Sequence, residues 1–508
     1  MENKDKTNEN INNENLNNPN NFNFDNLINS KEITTVDVEA LPHADLEEVI
    51  ATNKTDDNTS KLLFLFSLFW SVAFLICTPL GAFFSGEGLN LFKDYWYILI
   101  TPSKLVTDYF NIGGLGSSML NAAICGFFCN AVILITKKKM TPTLLAAYFL
   151  VVAHCFYGLN ILNFLPPFMG VLVYSLIRKQ KFGDNLHIAM FATSLAPFVS
   201  EFLFRYPNRT FVFGEFSVTV LGVVLAITFG VIAGFIVPAL LPGTTRMHKG
   251  YNLYKAGIAI GIFGLFVHAL FFKTFGIESP NVVSYENLLY HKNQDIYNIF
   301  MNIFFATVFI ITLIFGFILN GKTFKGYLKL LKDSGHDVDF PKEYGIGLTF
   351  VNIGIYGLMI LLYMNAIILF TDGVNFTGAT VGVIIAAITF TACGQHPKNV
   401  FPIIVGYVVY YLIAFAISKI GGFTLGWSLS SQSYINGLAF ATGLCPFAGK
   451  YGFKIGVLAG LVCAIICSST SAMHGGFVLY NGGFSAGLTA MVLVPILDFF
   501  NVKKVNEF

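Results

Sequence analysis

The strongest constraint on this chain is that it contains the same pattern twice. Met247 to Gly261 reads "MHKGYNLYKAGIAIG" and Met473 to Gly487 reads "MHGGFVLYNGGFSAG", with seven identities in fifteen positions. His248 pairs with His474, Gly250 with Gly476, Leu253 with Leu479, Tyr254 with Tyr480, and Gly257 and Gly261 with Gly483 and Gly487. Other twins keep the same order. "LGSSMLNAAICG" from Leu115 matches "IGLTFVNIGIYG" from Ile346, aligning Asn121 with Asn352. "NFLPPFMGVLVY" from Asn163 matches "NVFPIIVGYVVY" from Asn399, and "TSLAPF" from Thr193 matches "TGLCPF" from Thr442. Even the amphipathic "LFKDYWYIL" has a counterpart in "TFKGYLKLL". Twins in constant order mark duplication of a whole unit rather than a borrowed motif.

The material of each copy is apolar. Of 508 residues, 55% are hydrophobic and 12% charged, too few charges for a soluble globular protein. From Leu62 onward, apolar runs alternate with short polar breaks, many of them near the roughly twenty residues that cross a bilayer. Segments are expected near 62–84, 115–136, 141–157, 162–177, 185–206, 216–241 and 255–276. The second set is 297–319, 346–370, 376–393, 399–418, 429–448, 453–472 and 474–498. The expected fold is an all-α polytopic membrane protein of about fourteen segments, with one repeat over 61–290 and the other over 291–508.

The positive-inside rule orients the copies. With the N-terminus in the cytoplasm and one crossing per segment, twenty Lys and Arg fall inside, among them Lys137, Lys138, Lys139, Lys249, Lys255, Lys325 and Lys450. Seven fall outside: Lys93, Lys104, Arg205, Arg209, Lys273, Lys292 and Lys419. An odd number of crossings per repeat brings the second copy in from the opposite side, so inverted-topology repeats are predicted. The hairpins 141–177 and 376–418, interrupted by Pro166, Pro167 and Pro402, are candidates for re-entrance. Parity is unchanged either way.

In such folds the solute sits near the midplane between copies, and irregular backbone at membrane depth is tolerated where it packs in protein or lines a wet cavity. The candidate pathway residues are therefore the polar and small twins: His248, His474, Tyr254, Tyr480, Asn121, Asn352, Asn481, Gly476 and Gly483. Each also has a plain structural role available. The histidines can be interfacial, can hydrogen-bond a solute, or can couple transport to protons. The asparagines can hold helices together or coordinate an ion or solute. Glu201 and Lys450 follow "LAPF" and "LCPF" at equivalent positions. An interfacial charge is the simpler reading, and a deep Glu201 would be the coupling carboxylate. His154 has no histidine twin and reads as a packed singleton.

Other classes are poorly supported. A net charge of +2 suggests no nucleic-acid partner. The eight cysteines all lie in apolar segments with no CxxC pair, which fits small buried residues better than a disulfide or metal site. No phosphate-binding loop, metal cluster or catalytic triad stands out, so the chain is expected to be no enzyme and to need no cofactor or metal. Phenylalanine, at 54 residues, is expected to be mainly lipid-facing bulk. The asparagine-rich 1–60 is expected to be a disordered cytoplasmic tail without signal-peptide character.

The blocks "GGLGSSMLNAAICG", "TSLAPFVSE" and "HGGFVLYNGGFSAG" resemble a prokaryotic domain-of-unknown-function family, number 1576, of duplicated polytopic membrane proteins. The resemblance implies the duplicated fold and no activity. "LYNGGFSAG" is also faintly similar to the glycine-rich stretch of urea transporters, though the first copy departs with Lys255 and Ala256 where the second has Asn481 and Gly482. The expected function is a secondary transporter of a small polar or ionic solute in a bacterial plasma membrane, both termini cytoplasmic. A passive channel for a small polar solute is the alternative, and the expected partners are the solute, the lipid bilayer and a second copy of the chain.

Overall fold

The computed structural model describes residues 56–505 apart from 372 and 374, so the expected tail lies almost wholly outside the described residues. The described residues form one compact unit. Within it the described residues are helical, without strands. Eight helices of the first half are α1 (Asp57–Ser85), α2 (Leu91–Ile100), α3 (Tyr109–Ile135), α4 (Pro142–His154), α5 (Ile161–Ile177), α6 (Phe182–Phe204), α7 (Val220–Met247) and α8 (Ala256–Lys273). They recur in order as α9 (Gln294–Leu319), α10 (Tyr327–Leu330), α11 (Ile346–Phe370), α12 (Gly378–Ala387), α13 (Pro397–Gly421), α14 (432–451), α15 (Phe453–Cys467) and α16 (Asn481–Phe499). Among the described residues nine helices are long and apolar enough to cross a membrane, so the protein is membrane-embedded.

Local chemistry sets the starts of these helices. Asp56 accepts the Thr59 N–H ahead of α1, Thr141 precedes Pro142 at the first turn of α4, Thr219 caps α7 and Thr377 caps α12. Asp56 places the first helix at Asp57, a few residues before the sequence boundary at 61. Other boundaries differ more. Helix α6 carries a 3-10 turn at Thr193–Leu195 ahead of Pro197, and α14 carries one at Thr442–Leu444 ahead of Pro446. The glycine-rich 474–480, expected inside the last segment, is loop, and α16 begins only at Asn481.

The strongest pairings also come as twins: α1 on α3 matches α9 on α11, and α5 on α7 matches α13 on α15. The last helices of the two halves, α8 and α16, cross at the centre. A Cβ on Gly257 would stand 2.2 Å from the Gly483 carbonyl carbon, so the backbones touch. Close approach of this kind replaces the hydrophobic drive that lipid removes. Phenylalanines are not mainly lipid-facing: Phe66, Phe110, Phe304, Phe440 and many others are buried, while Phe83, Phe370 and Phe499 face outward. The reason is that a membrane protein also needs bulk to fill its interior at close-packed density.

Candidate functional site

Two places in each half depart from regular helix, and both recur with the same bonds. The first is the tip of the helical hairpin. After α4 the chain runs unwound until Asn160 caps α5, and after α12 it does so until His396 caps α13. Asn121, from within α3, donates through Nδ2 to the Cys155 and Leu159 carbonyls, both at 2.7 Å. Asn352, from α11, donates to the Thr391 and Gln395 carbonyls at 2.9 and 2.8 Å. A broken helix end leaves such carbonyls without donors, and in a water-poor interior a side chain must supply them.

Asn163 and Asn399, one turn into the next helices, donate to the Gly158 and Gly394 carbonyls at 3.0 and 2.8 Å. Both glycines hold φ values, 145° and 128°, that a side chain would strain. Each tip is covered from its own half: the Tyr109 N–H donates to the Phe156 carbonyl at 3.2 Å and the Phe340 N–H to the Ala392 carbonyl at 3.1 Å. Asn121 and Asn352 thus hold backbone in both copies.

The second place is where the histidine-bearing loops exchange. The Leu253 N–H donates to the Gly443 carbonyl at 3.0 Å, and the Leu479 N–H to the Ser194 carbonyl at 2.9 Å. Gly443 and Ser194 are the middle residues of the twin 3-10 turns. Each half therefore closes the broken helix of the other.

That exchange brings Tyr254 and Tyr480 together, ring centroids 5.8 Å apart. Tyr480 also meets Phe440, Phe191 and His154 at 5.6, 6.2 and 6.4 Å. Tyr254 meets Phe390 and Phe440 at 4.7 and 5.0 Å and donates its hydroxyl to the Ala386 carbonyl at 2.7 Å. His154 stands where the second copy has Phe390, and Phe191 where it has Phe440, so the cluster straddles the two copies. The Tyr480 and Tyr157 hydroxyls and His154 Nε2 are buried with no hydrogen-bond partner. Each unpaired group costs about 1–3 kcal/mol unless water or a solute meets it.

The remaining candidates are dispersed. His474 Nε2 lies 2.8 Å from Asn481 Oδ1. His248 is fully buried with both ring nitrogens unpartnered, beside Lys255, Asp337 and His336. Burial, with Lys255 adding to it, pushes its imidazole down to about 4. The two histidines therefore have different neighbours, His474 with Asn481 and His248 with Lys255, Asp337 and His336. The Gly476 carbonyl accepts the Leu105 N–H at 2.7 Å, and the Gly483 backbone meets α8. Glu201 is buried and bound by Arg205 at 2.6 Å, beside a cavity of about 40 Å³ that Arg209 and Glu278 also line. Lys450 is half-buried at the end of α14.

Sequence reasoning missed two acidic caps. Glu87 accepts Ser85 Oγ at 2.7 Å and the Gly116 and Ser117 N–H groups at 2.9 and 3.2 Å, where α3 breaks at Gly114. Asp108 accepts the Phe110 N–H at 3.0 Å and the Gly378 N–H at 2.8 Å, joining the first turns of α3 and α12. An aspartate just ahead of an apolar run is a readable helix start, but the second partner is 270 residues away. Among the described residues no three His, Cys, Asp or Glu side chains gather as metal ligands would.

A family described as "Protein of unknown function (DUF1576)" matches residues 88–273 and 319–499, one stretch in each half. Neither the curated proteins nor the solved structures give a match, so the local likeness to urea transporters has no support there.

Proposed function

The chain belongs to the DUF1576 family, and we propose that it is a secondary transporter moving a small polar or ionic solute by alternating access between inverted repeats. The observation that carries this reading is the reciprocal exchange, Leu253 to Gly443 and Leu479 to Ser194, around buried polar groups that lack partners. Two copies that close each other's broken helices over an unsatisfied centre supply the contacts between repeats that alternating access would have to exchange.

Loop contacts support the inverted orientation. Lys139 pairs with Asp57, Lys138 with Asp184 and Lys249 with Asp498, all on the side that the positive-inside rule assigns to the cytoplasm. Asn111 with Tyr285, Asn293 with Ser85 and Lys104 with Pro280 join loops of the other side. At 13 and 10 residues, α4 and α12 span about 20 and 15 Å, short of the hydrocarbon layer, so each hairpin contributes a half-length limb. The number of crossings per half stays odd whether the hairpins cross or turn back. In this reading the protein sits in a bacterial plasma membrane with both termini inside, performs no chemistry on its solute, and takes no cofactor.

The test is a thermal-stability screen of the purified protein against small solutes, repeated with Tyr480→Phe, His474→Ala and His248→Ala, since a ligand of the folded state raises apparent stability. Stabilisation lost in Tyr480→Phe, with saturable uptake of the same solute into proteoliposomes under an ion gradient, is the expected outcome. Fast, unsaturable uptake indifferent to any gradient would replace the transporter by a channel.

A further inference from the structure

Each hairpin tip lies beneath a two-part cover, one loop from each half. The first tip is covered by 101–108 together with the 474–480 loop, and the second by 333–339 together with the 248–255 loop. The covers are twins in backbone but differ in chemistry. Over the first tip the contacts between halves are uncharged at one partner or both. The Leu105 N–H donates to the Gly476 carbonyl at 2.7 Å and the Lys104 ammonium lies 5.4 Å from the Phe477 ring, while within its own half that ammonium donates to the Pro280 carbonyl at 2.6 Å.

Over the second tip the halves are joined by ion pairs: Lys255 with Asp337 at 2.9 Å and Lys249 with Asp498 at 2.8 Å. His336 adds to this cover, its Nδ1 3.3 Å from Asp337 and its Nε2 2.9 Å from the Lys249 carbonyl. Where the first copy has Lys249 and Lys255, the second has Gly475 and Asn481, so these two ion pairs have no counterpart over the first tip. Among the described residues no ion pair joins the halves over the first tip.

We propose that Asp337 and Lys255 form an electrostatic latch on the second tip, a gate that opens separately from the cover over the first, where no ion pair joins the halves among the described residues. The latch rests on the transport reading, since a gate presupposes a pathway. Both partners are about half exposed, 44% and 50%, so the pair is weak and screened by salt, as suits a closure that must release in every cycle. Beneath it lie the Asp333 and Ala392 carbonyls, held by His396 and Phe340, and then Cys445, fully buried with its thiol 3.9 Å from the Gly394 carbonyl. The corresponding reporter under the other cover is Cys155, also fully buried.

These native thiols supply the test, which needs no solute. The full chain in nanodiscs is labelled with N-ethylmaleimide and each cysteine is followed by mass spectrometry. Asp337→Asn is expected to speed Cys445 labelling about two- to fivefold, the scale of an exposed ion pair, with Cys155 unchanged. The charge swap Lys255→Asp with Asp337→Lys is expected to return Cys445 to the wild-type rate, and 0.5 M salt (roughly a 4 Å screening length) to mimic Asp337→Asn. An unchanged Cys445 rate in Asp337→Asn overturns the latch, as does an equal rise at Cys155, which signals general loosening. A charge swap that labels as fast as Asp337→Asn overturns it too. Because labelling reports opening whether or not any solute is carried, a latch that opens in a protein that transports nothing would sink the transport reading alone.

Discussion

The two hairpin tips have kept their backbone and exchanged their side chains. Both are clamped by an asparagine on two carbonyls, both carry a positive-φ glycine, and both are covered by a backbone N–H from the same half. Yet His154 faces Phe390 in register, Cys155 faces Thr391, Tyr157 faces Cys393, and Asn160 caps where His396 does. The breaks are therefore held by a few backbone bonds that cannot be relaxed, while the side chains around them have been free to make the two copies chemically unequal.

The largest effect should come from the clamps. Asn121→Ala and Asn352→Ala each strand two buried carbonyls and should cost about 2–6 kcal/mol, at 1–3 kcal/mol per unsatisfied group. Denaturant unfolding in nanodiscs should give nearly equal losses; a difference of more than about 2 kcal/mol would break the equivalence of the tips.

Acid comes next. The His248 imidazole is held near 4, below its ordinary 6.5, because the buried site favours the neutral ring. An opened loop binds the proton more readily than the closed one. The closed state therefore has its full stability above pH 6.5 and loses it as the pH falls toward 4, by at most about 3 kcal/mol. Melting measured across pH 7.5 to 4.5 should show that slope, and His248→Asn should flatten it. An unaltered slope in the variant would mean that the acid sensitivity lies elsewhere.

The smallest effect separates two glycines of one crossing. A Cβ on Gly257 meets Gly483 backbone at 2.2 Å, whereas one on Gly483 meets the Tyr480 ring at 3.1 Å. Gly257→Ala should cost about 1–3 kcal/mol by overpacking, and Gly483→Ala should be near neutral, since helix propensity offsets mild crowding. Equal melting temperatures for the two variants would show that the helices separate instead of resisting.

Much of this was legible in the sequence because duplication doubles every signal. The order of the twins located the repeats, and aligning Asn121 with Asn352 paired two residues whose Nδ2 bonds prove to be the same, although Asn352 Oδ1 also accepts the Tyr327 hydroxyl at 3.4 Å and Asn121 Oδ1 has no partner. Tyr254 and Tyr480 were singled out as twins and do meet. Pairing along the chain, however, carries no distance. It could not show that His248 and His474 have different neighbours, or that His154, which has no histidine twin, stands beside Tyr480. Hydropathy also hides a loop made of glycine, phenylalanine and valine, which is why 474–480 reads as membrane span until its hydrogen bonds are seen.

The exchanged loops bear on how the protein is made. The Ser194 carbonyl, exposed where α6 breaks, waits for the N–H of Leu479, and the Gly378 N–H that Asp108 holds also belongs to the later half. A ribosome emitting this chain must deliver nearly three hundred further residues before that first break is closed, so the early half is made without the donor its broken helix uses. A stop codon anywhere before Leu479 would leave the Ser194 carbonyl without that donor.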